Sequence, residues 1–151
     1  MRAFLRVDDA LRAALEAAGI EPVEAGDALV FRPGDVGTWL EARRELTESF
    51  HLSKDAATRG CPVVYVVDID ALLGRSGPAP AMVAAGLVSA ARTLALELKK
   101  SAVPVNAVAV ERESDAASIA RWVVTLLEGG ARGPTGELIH LGGGQIGKAL
   151  S

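Results

Sequence analysis

Three polar side chains that could do chemistry lie at or after the end of the apolar stretch CPVVYVVDI in the middle of the chain. Asp68 and Asp70 come at its end, and Arg75 follows a few residues later. Since α/β folds bind ligands at the carboxyl ends of their strands, two carboxylates and a guanidinium here could form an enzymatic or small-ligand site. The simpler interpretation, which the sequence favours, is a set of solvated loop residues.

The other potentially reactive residues stand alone in the sequence. His51 falls in a helical pattern and is interpreted as a surface or interface residue, and His140 is interpreted as structural within a strand. Cys61 begins an apolar strand with no His nearby, so packing is its expected role. The Gly142–Gly144 run lacks the Lys-Ser/Thr of a phosphate loop and predicts a chain turn near a subunit contact. No metal site is predicted.

The elements that must position these residues alternate between strand and helix patterns. The predicted strands are Ala3–Val7, Asp27–Phe31, Cys61–Ile69, Val103–Val110 and Thr135–Leu141. The predicted helices are Asp9–Ala18, Val36–Thr58, Pro78–Leu98 and Ala116–Leu127. This order predicts an α/β fold: a truncated, Rossmann-like three-layer αβα sandwich with a mostly parallel sheet of about five strands.

The segment before Asp27–Phe31 constrains the topology. A second short apolar stretch, Ile20–Glu24, precedes it closely. A parallel crossover needs about a dozen residues, so we expect that these two segments are not both parallel strands of one sheet. The helix Asp9–Ala18 is then expected to connect Ala3–Val7 directly with Asp27–Phe31.

The helix Pro78–Leu98 is apolar on almost every side, with prolines in its first turn where a missing N–H is tolerated. A surface helix has a single apolar stripe, so a helix this apolar is expected to be buried on more than one side. We expect the sheet on one side and a second subunit on the other.

Composition excludes several classes of protein. The chain has 151 residues, enough for one domain with a real core, and its net charge of -3 offers no basic field for nucleic acid. No run of 18 uninterrupted apolar residues predicts a membrane span, and no signal peptide is recognised. A single Cys fits a reducing compartment, so we expect a cytoplasmic protein.

Three segments together resemble the C-terminal half of short-chain dehydrogenases/reductases: AAGLVSAARTLALEL, VPVNAVAV at Val103–Val110, and TGELIHLGGG at Thr135–Gly144. The family places a catalytic Tyr and Lys four residues apart on this helix, a Ser on the preceding strand and an Asn on the helix before that. In register, these positions hold Pro80, Ala84, Val67 and Glu45. The resemblance therefore implies that no catalytic residue is retained, since Pro and Ala cannot transfer protons.

The resemblance also implies that no cofactor is bound. The family has a Gly-rich turn after its first strand, where the backbone approaches the cofactor's pyrophosphate at a helix N-terminus. Asp8 and Asp9 stand there instead, and two carboxylates would repel a pyrophosphate. Phe31-Arg32-Pro33 replaces the family's Asn-Asn-Ala, and the segment that forms the substrate lid is missing after Val110.

Two functions remain open from the sequence. The first is a non-catalytic subunit that associates through its long helices with a catalytically complete family member, or with itself, and neither nucleic acid nor membrane is an expected partner. Its candidate interface comprises Trp39, Phe50, Met82, Val83, Leu87, Ala90, Ala91 and Leu94. The alternative is a stand-alone enzyme or acyl-thioester-binding protein that uses Asp68, Asp70 and Arg75 without a nicotinamide.

Overall fold

A computed structural model describes residues 1–142 of the chain. The six strands are β1 (Arg2–Arg6), β2 (Glu21–Pro22), β3 (Leu29–Phe31), β4 (Val63–Asp68), β5 (Val105–Val110) and β6 (Leu138–Leu141). The five α-helices are α1 (Asp9–Ala17), α2 (Trp39–Thr58), α3 (Ile69–Leu72), α4 (Pro78–Glu97) and α5 (Ala116–Glu128). The Gly143–Gly144 part of the glycine run lies outside the described residues.

All six strands are parallel and lie in the order β2-β1-β3-β4-β5-β6. Alternate residues of β4 serve the two faces of the sheet: Tyr65 and Val67 pack with α2, α3 and α4, while Val64 and Val66 pack with α1 and α5. Both faces are covered, which is why β4 and β5 are apolar along nearly their whole length. The predicted Rossmann-like α/β sandwich is confirmed. The sheet has six strands where about five were predicted, and the additional elements are the strand β2 and the one-turn helix α3.

The expectation for residues 20–31 was wrong. Both segments form parallel strands, on opposite sides of β1: Glu21 pairs with Arg2, and Leu29 pairs with Phe4. A helical crossover is unnecessary because β2 is only two residues long and the chain then passes directly over β1. Helix α1 consequently leads from β1 to the edge strand β2 rather than straight to β3.

Gly26 makes this short crossing possible. Its backbone lies against Ala3, and a Cβ on Gly26 would sit 2.7 Å from the Ala3 Cα. The Gly26 carbonyl accepts hydrogen bonds from the Arg59 guanidinium at 2.6 Å and from the Cys61 thiol at 3.6 Å. Cys61 is buried, and burial raises the pKa of its thiol. The side chains of Arg59 and Cys61, which precede β4, therefore hold the backbone of this crossing in place.

Helix α2 begins three residues later than predicted because Thr38 caps it. The Thr38 hydroxyl accepts from the Glu41 N–H at 3.2 Å, and the Glu41 carboxylate accepts from the Thr38 hydroxyl at 3.1 Å. The Thr-x-x-Glu spacing is that of a capping box, a signal present in the sequence.

Helix α4 is long and apolar enough to pass a compositional test for a membrane span, a test that the core helix of a globular fold also passes. In this fold one side of α4 packs on β4 and β5. The other side carries Met82, Ser89 and Leu96 on the surface.

We expect Gly26→Ala to lower the free energy of unfolding by about 1–3 kcal/mol, because the new methyl group has no space over the backbone of β1. Urea denaturation measures the change. Gly37→Ala is the matched control, since a Cβ there would meet only Glu41 Oε1 at 3.7 Å. Equal stabilities of the two variants would contradict the tight crossing.

Candidate functional site

The candidate ligand crevice of this sheet lies at the carboxyl ends of β1 and β3. From β1 the chain moves outward to β2 and then returns to the other side of β1, so the strand order reverses at this point. Open α/β sheets bind ligands at such a reversal. The side chains found there are Arg6 from β1, Asp8 from the turn into α1, and Arg32 after β3.

Arg32 bridges two carboxylates across the crevice. Its Nη1 lies 3.3 Å from Asp8 Oδ2, and its Nη2 lies 2.8 Å from Asp68 Oδ1 at the end of β4. One guanidinium therefore joins the carboxyl ends of three neighbouring strand segments. The two carboxylates are about half exposed, so each pair contributes at most about 1 kcal/mol to stability.

Asp8 also occupies the N-terminus of α1. Its Oδ1 accepts the Leu11 N–H at 3.0 Å, while Oδ2 faces Arg32. The helix N-terminus that could hold a phosphate anion is thus capped by the protein's own carboxylate. The residues at this crevice do not fit a dinucleotide, because a pyrophosphate would have to displace or approach the Asp8 charge.

Arg6 forms a second charged group beneath the crevice. Its Nη2 lies 2.7 Å from Glu45 Oε1 and 3.2 Å from Glu48 Oε2, both on α2. Its guanidinium also donates to the Arg32 carbonyl at 3.3 Å and lies 5.2 Å from the centroid of the Phe31 ring. Burial acts to lower the Arg6 pKa, but the hydrogen bonds to Glu48 and Glu45 outweigh it, and the pKa is raised.

Glu45 is the less exposed partner of this pair. Its side chain is 14% exposed, and its Oε2 is buried with no hydrogen-bond partner among residues 1–142. Its only ion pair in that range is with Arg6, so the Glu45 charge depends on that guanidinium for compensation.

A cavity of about 450 Å³ opens beside the crevice. Its helical wall is Pro80, Val83 and Ala84 from α4, and its polar lining includes Asp68 and Arg112. Asp35 and Glu41 also line the cavity, whereas α4 contributes no titratable group to it.

Asp68, Asp70 and Arg75 do not form one site. Asp68 pairs with Arg32, whereas Arg75 Nη1 lies 3.4 Å from Asp70 Oδ1 at the surface. The structure therefore divides the predicted alternative site between two separate ion pairs.

The second candidate region is a groove of about 800 Å³ between α2 and α4. The two helices touch where Leu46 packs against Gly86: a Cβ on Gly86 would lie 2.8 Å from Leu46 Cδ2. Beyond this contact the groove is lined by Phe50, Leu94 and other residues of the later turns.

The floor of the groove is a hydroxyl pair. Tyr65 on β4 and Ser53 on α2 are hydrogen-bonded to each other in the interior. Burial raises the pKa of the Tyr65 phenol, and the hydrogen bond with Ser53 opposes this rise. The phenol is therefore neutral at physiological pH, and the floor carries no charge.

Three of the predicted interface residues face the core of the protein. Val83, Leu87 and Ala91 are buried between α4 and the sheet, which argues against their place in an interface. Helix α4 is so uniformly apolar that its sequence does not show which side faces the sheet. Trp39, Phe50 and Met82 are exposed, and Ala90 and Leu94 line the groove, so the interface stays a prediction for these five residues.

The two histidines lie apart from the crevice. His51 is exposed on α2, with its ring edge-on to Phe50 at 5.6 Å. His140 on β6 has Nε2 3.4 Å from Glu111 Oε1, which follows β5. Neither contacts the crevice residues described above.

The similarity of this chain to known proteins is found in structure and not in sequence. No protein-family model matches the sequence, and no curated protein sequence matches it. Solved structures do match. A short-chain dehydrogenase/reductase of the glucose/ribitol dehydrogenase type from Brucella melitensis aligns with TM-score 0.72 and 17% identity, over 95% of this chain and 94% of that one.

Two further structures agree with the first. A short-chain dehydrogenase/reductase-family oxidoreductase from Burkholderia thailandensis aligns with TM-score 0.70 and 20% identity, over 96% of this chain and 82% of that one. Another short-chain dehydrogenase/reductase family protein aligns with TM-score 0.68 and 20% identity, over 94% of this chain and 85% of that one. The chain has the short-chain dehydrogenase/reductase fold. The predicted resemblance is thereby confirmed for the fold.

The four positions assigned to the catalytic residues of this family are occupied by packing or ion-pair residues. Val67 and Ala84 are buried in the core between α4 and the sheet, and Pro80 lines the cavity. Glu45 holds Arg6. None of these three cavity and core side chains can donate or accept a proton, and the carboxylate of Glu45 is engaged elsewhere.

Arg6 and Arg32, which organise the crevice of this short-chain dehydrogenase/reductase fold, were not predicted as site residues from the sequence. A signal for Arg32 was present: a cation at one predicted strand end and Asp8 at another would meet at the carboxyl edge of a parallel sheet. Arg6 gave no such signal, because its partners Glu45 and Glu48 lie 39 and 42 residues away.

We expect Arg6→Met to lower the free energy of unfolding by about 2 kcal/mol, because it leaves the Glu45 carboxylate buried without its cation. Chemical denaturation measures this. Arg6→Met/Glu45→Met should recover much of the loss, since both charges are then absent. Arg75→Met, which removes an exposed pair, should change stability by less than about 0.5 kcal/mol; equal effects at Arg6 and Arg75 would refute the assignment.

Titration with NADPH is expected to give no saturable change in nicotinamide fluorescence at millimolar concentrations, because Asp8 occupies the anion position at the α1 N-terminus. Asp8→Asn serves as the comparison, since it removes the charge and keeps the capping oxygen. Saturable binding to the unaltered chain would show that the crevice accepts a dinucleotide after all.

Proposed function

We propose that this chain is a non-catalytic subunit that associates through α2 and α4 with a catalytically complete short-chain dehydrogenase/reductase, in an oxidoreductase complex. The partner supplies the catalytic residues and the cofactor site. This chain stabilises the partner or shapes the entrance to its substrate site. Because its lone thiol is buried and it has no disulfide, the proposed setting is the cytoplasm.

The observation that carries this proposal is where the exposed apolar side chains lie. Among residues 1–142, seven large apolar residues are exposed, and five of them are on α2 and α4: Trp39, Leu40, Phe50, Met82 and Leu96. Phe50 is 61% exposed and Leu96 is 74% exposed. Such a concentration on two neighbouring helices, with Phe50 lining the groove between them, is typical of a protein–protein contact.

The crevice supports the non-catalytic part of the proposal. Asp8, Arg32 and Asp68 satisfy one another, and α4 offers only Pro80, Val83 and Ala84 to the adjacent cavity. The charged residues of the crevice are thus paired with one another, whereas the face formed by α2 and α4 is open. This arrangement favours association with another protein over catalysis. A partner with the same fold is favoured because it would present two long helices of its own to the groove.

No second function is proposed for the strand-end polar residues. Asp68, Asp70 and Arg75 are divided between two ion pairs, so the structure does not bring them together for chemistry.

The test is affinity purification of the tagged chain from its native host, followed by mass spectrometry. We expect a stoichiometric short-chain dehydrogenase/reductase with an intact Tyr and Lys four residues apart. Phe50→Ser should abolish its recovery, because Phe50 lies exposed at the groove. Trp122→Ser, which alters an exposed aromatic residue on α5 in the opposite layer, should leave recovery unchanged.

Two results would contradict the proposal. One is recovery of the chain alone or as a homo-oligomer. The other is a partner that lacks the Tyr and Lys pair, or whose oxidoreductase activity and stability are the same without this chain.

A further inference from the structure

The described sheet ends on one side at β2, a strand of only two residues, Glu21 and Pro22. An edge strand presents its outward N–H and C=O groups to any further strand that comes alongside it. Folded proteins limit such pairing with very short strands, prolines and charged residues. All three are found on this side of the sheet, here called the β2 edge, where Glu21 and Glu24 are the exposed charged residues.

The hydrogen bonds between β1 and β2 show which backbone groups face outward. The Glu21 N–H donates to the Met1 carbonyl at 2.9 Å, and the Val23 N–H donates to the Ala3 carbonyl at 3.0 Å. Successive residues of a strand turn to opposite sides, so Pro22 turns its backbone nitrogen and carbonyl away from β1. Because proline has no N–H, the β2 edge offers an acceptor at this position but no donor.

The β2 edge continues along the part of β1 that β2 does not reach. Strand β2 pairs with β1 only at Arg2 and Ala3. The Phe4 N–H donates to the Ala28 carbonyl at 2.9 Å, on the β3 side, so Leu5 turns its backbone groups to the β2 side. A notch of about 300 Å³ lies there, where a longer β2 would pair with Leu5.

Arg12 of α1 lines this notch and takes the place of the missing strand. Its Nη2 donates to the Leu5 carbonyl at 2.7 Å. The next acceptor of β1 on this side is therefore occupied by a side chain, and a positive charge lies where an added strand would have to pass.

We propose that Pro22 and Arg12 keep the β2 edge from pairing with another strand. Pro22 withholds a donor from the edge, and Arg12 occupies an acceptor. This inference goes beyond the proposed function, because it concerns the edge of the sheet and not the face of α2 and α4.

The variant Pro22→Val tests the first part. In a two-fold pair of β2 strands centred on residue 22, the two copies of this residue lie opposite each other, and each new N–H can donate to the carbonyl of the other copy. We expect the association constant for this contact to rise about tenfold or more, because two hydrogen bonds are gained. Sedimentation velocity measures it in about 0.5 M salt, which screens the carboxylates of Glu21 and Glu24.

The variant Pro22→Val/Arg12→Ala tests the second part. It also opens the Leu5 carbonyl, so it should self-associate more strongly than Pro22→Val. Pro22→Val/Arg12→Lys should match Pro22→Val, because a lysine ammonium can still donate to that carbonyl. The matched control is Pro33→Val/Arg121→Ala, which makes the same changes of residue type and net charge after β3 and on α5. It should behave as the unaltered chain does.

Hydrogen exchange locates the new contact. The amide at position 22 of Pro22→Val should be protected from exchange in concentrated solution and not in dilute solution, because only the paired form bonds it.

Three outcomes would overturn the inference. The first is self-association of both Pro22→Val and Pro22→Val/Arg12→Ala that equals that of the control. The second is stronger association without protection at position 22, since another face would then be responsible. The third is loss of folding without pairing, seen by circular dichroism, which would show that these residues serve the folding of β2 instead. None of these measurements involves a native partner, so their outcome is independent of the proposed function.

Discussion

The guanidinium of Arg6 is the group on which the rest of the carboxyl edge depends. It lies over the Phe31 ring, binds two carboxylates of α2 and donates to the backbone carbonyl of Arg32. One side chain thereby sets the position of β3 and α2 relative to β1. Arg32, held at its carbonyl, can then direct its own guanidinium at Asp8 and Asp68. The charges at this edge are consequently a connected network rather than separate surface pairs.

This network and the open helical face are two results of the same distribution of charge. Glu45 and Glu48 of α2 pair with Arg6, and Asp8 and Asp68 pair with Arg32, while Trp39 and Phe50 of α2 remain exposed. The charged residues at the edge of the sheet are therefore paired with one another, whereas the α2–α4 face keeps exposed apolar side chains.

Most of the fold could be predicted from sequence because the strongest signals are local. The β-branched strand β4 and the Ala- and Leu-rich α4 are recognisable from composition and periodicity alone. The short strand β2 was not recognisable, because its two residues pair with β1 only after the chain crosses at Gly26, and that close approach is a tertiary contact. The buried side of α4 was equally hidden, since a helix that is apolar all round has no preferred face.

The site was less predictable than the fold for a related reason. The sequence shows that Pro80 and Ala84 stand at the positions which the resemblance assigns to Tyr and Lys, but the charges at the crevice depend on ion pairs between distant segments. The pair between Arg32 and Asp68 joins residues 36 positions apart. Spacing along the chain does not reveal such pairs, although the sign of the charges at adjacent strand ends is consistent with them.

The crossing of the chain over β1 also has a consequence for how the sheet is assembled. Arg2 pairs with Glu21, and Phe4 pairs with Leu29, so the first three strands close loops of 19 and 25 residues. Val63 pairs with Val105 across 42 residues in the next part of the sheet. The entropy lost on closing a loop grows with its length, and the N-terminal strands are therefore the least costly to bring together. In a parallel sheet, where distant pairings usually dominate, this chain contains a compact segment of three strands that can order before its remaining strands are in place.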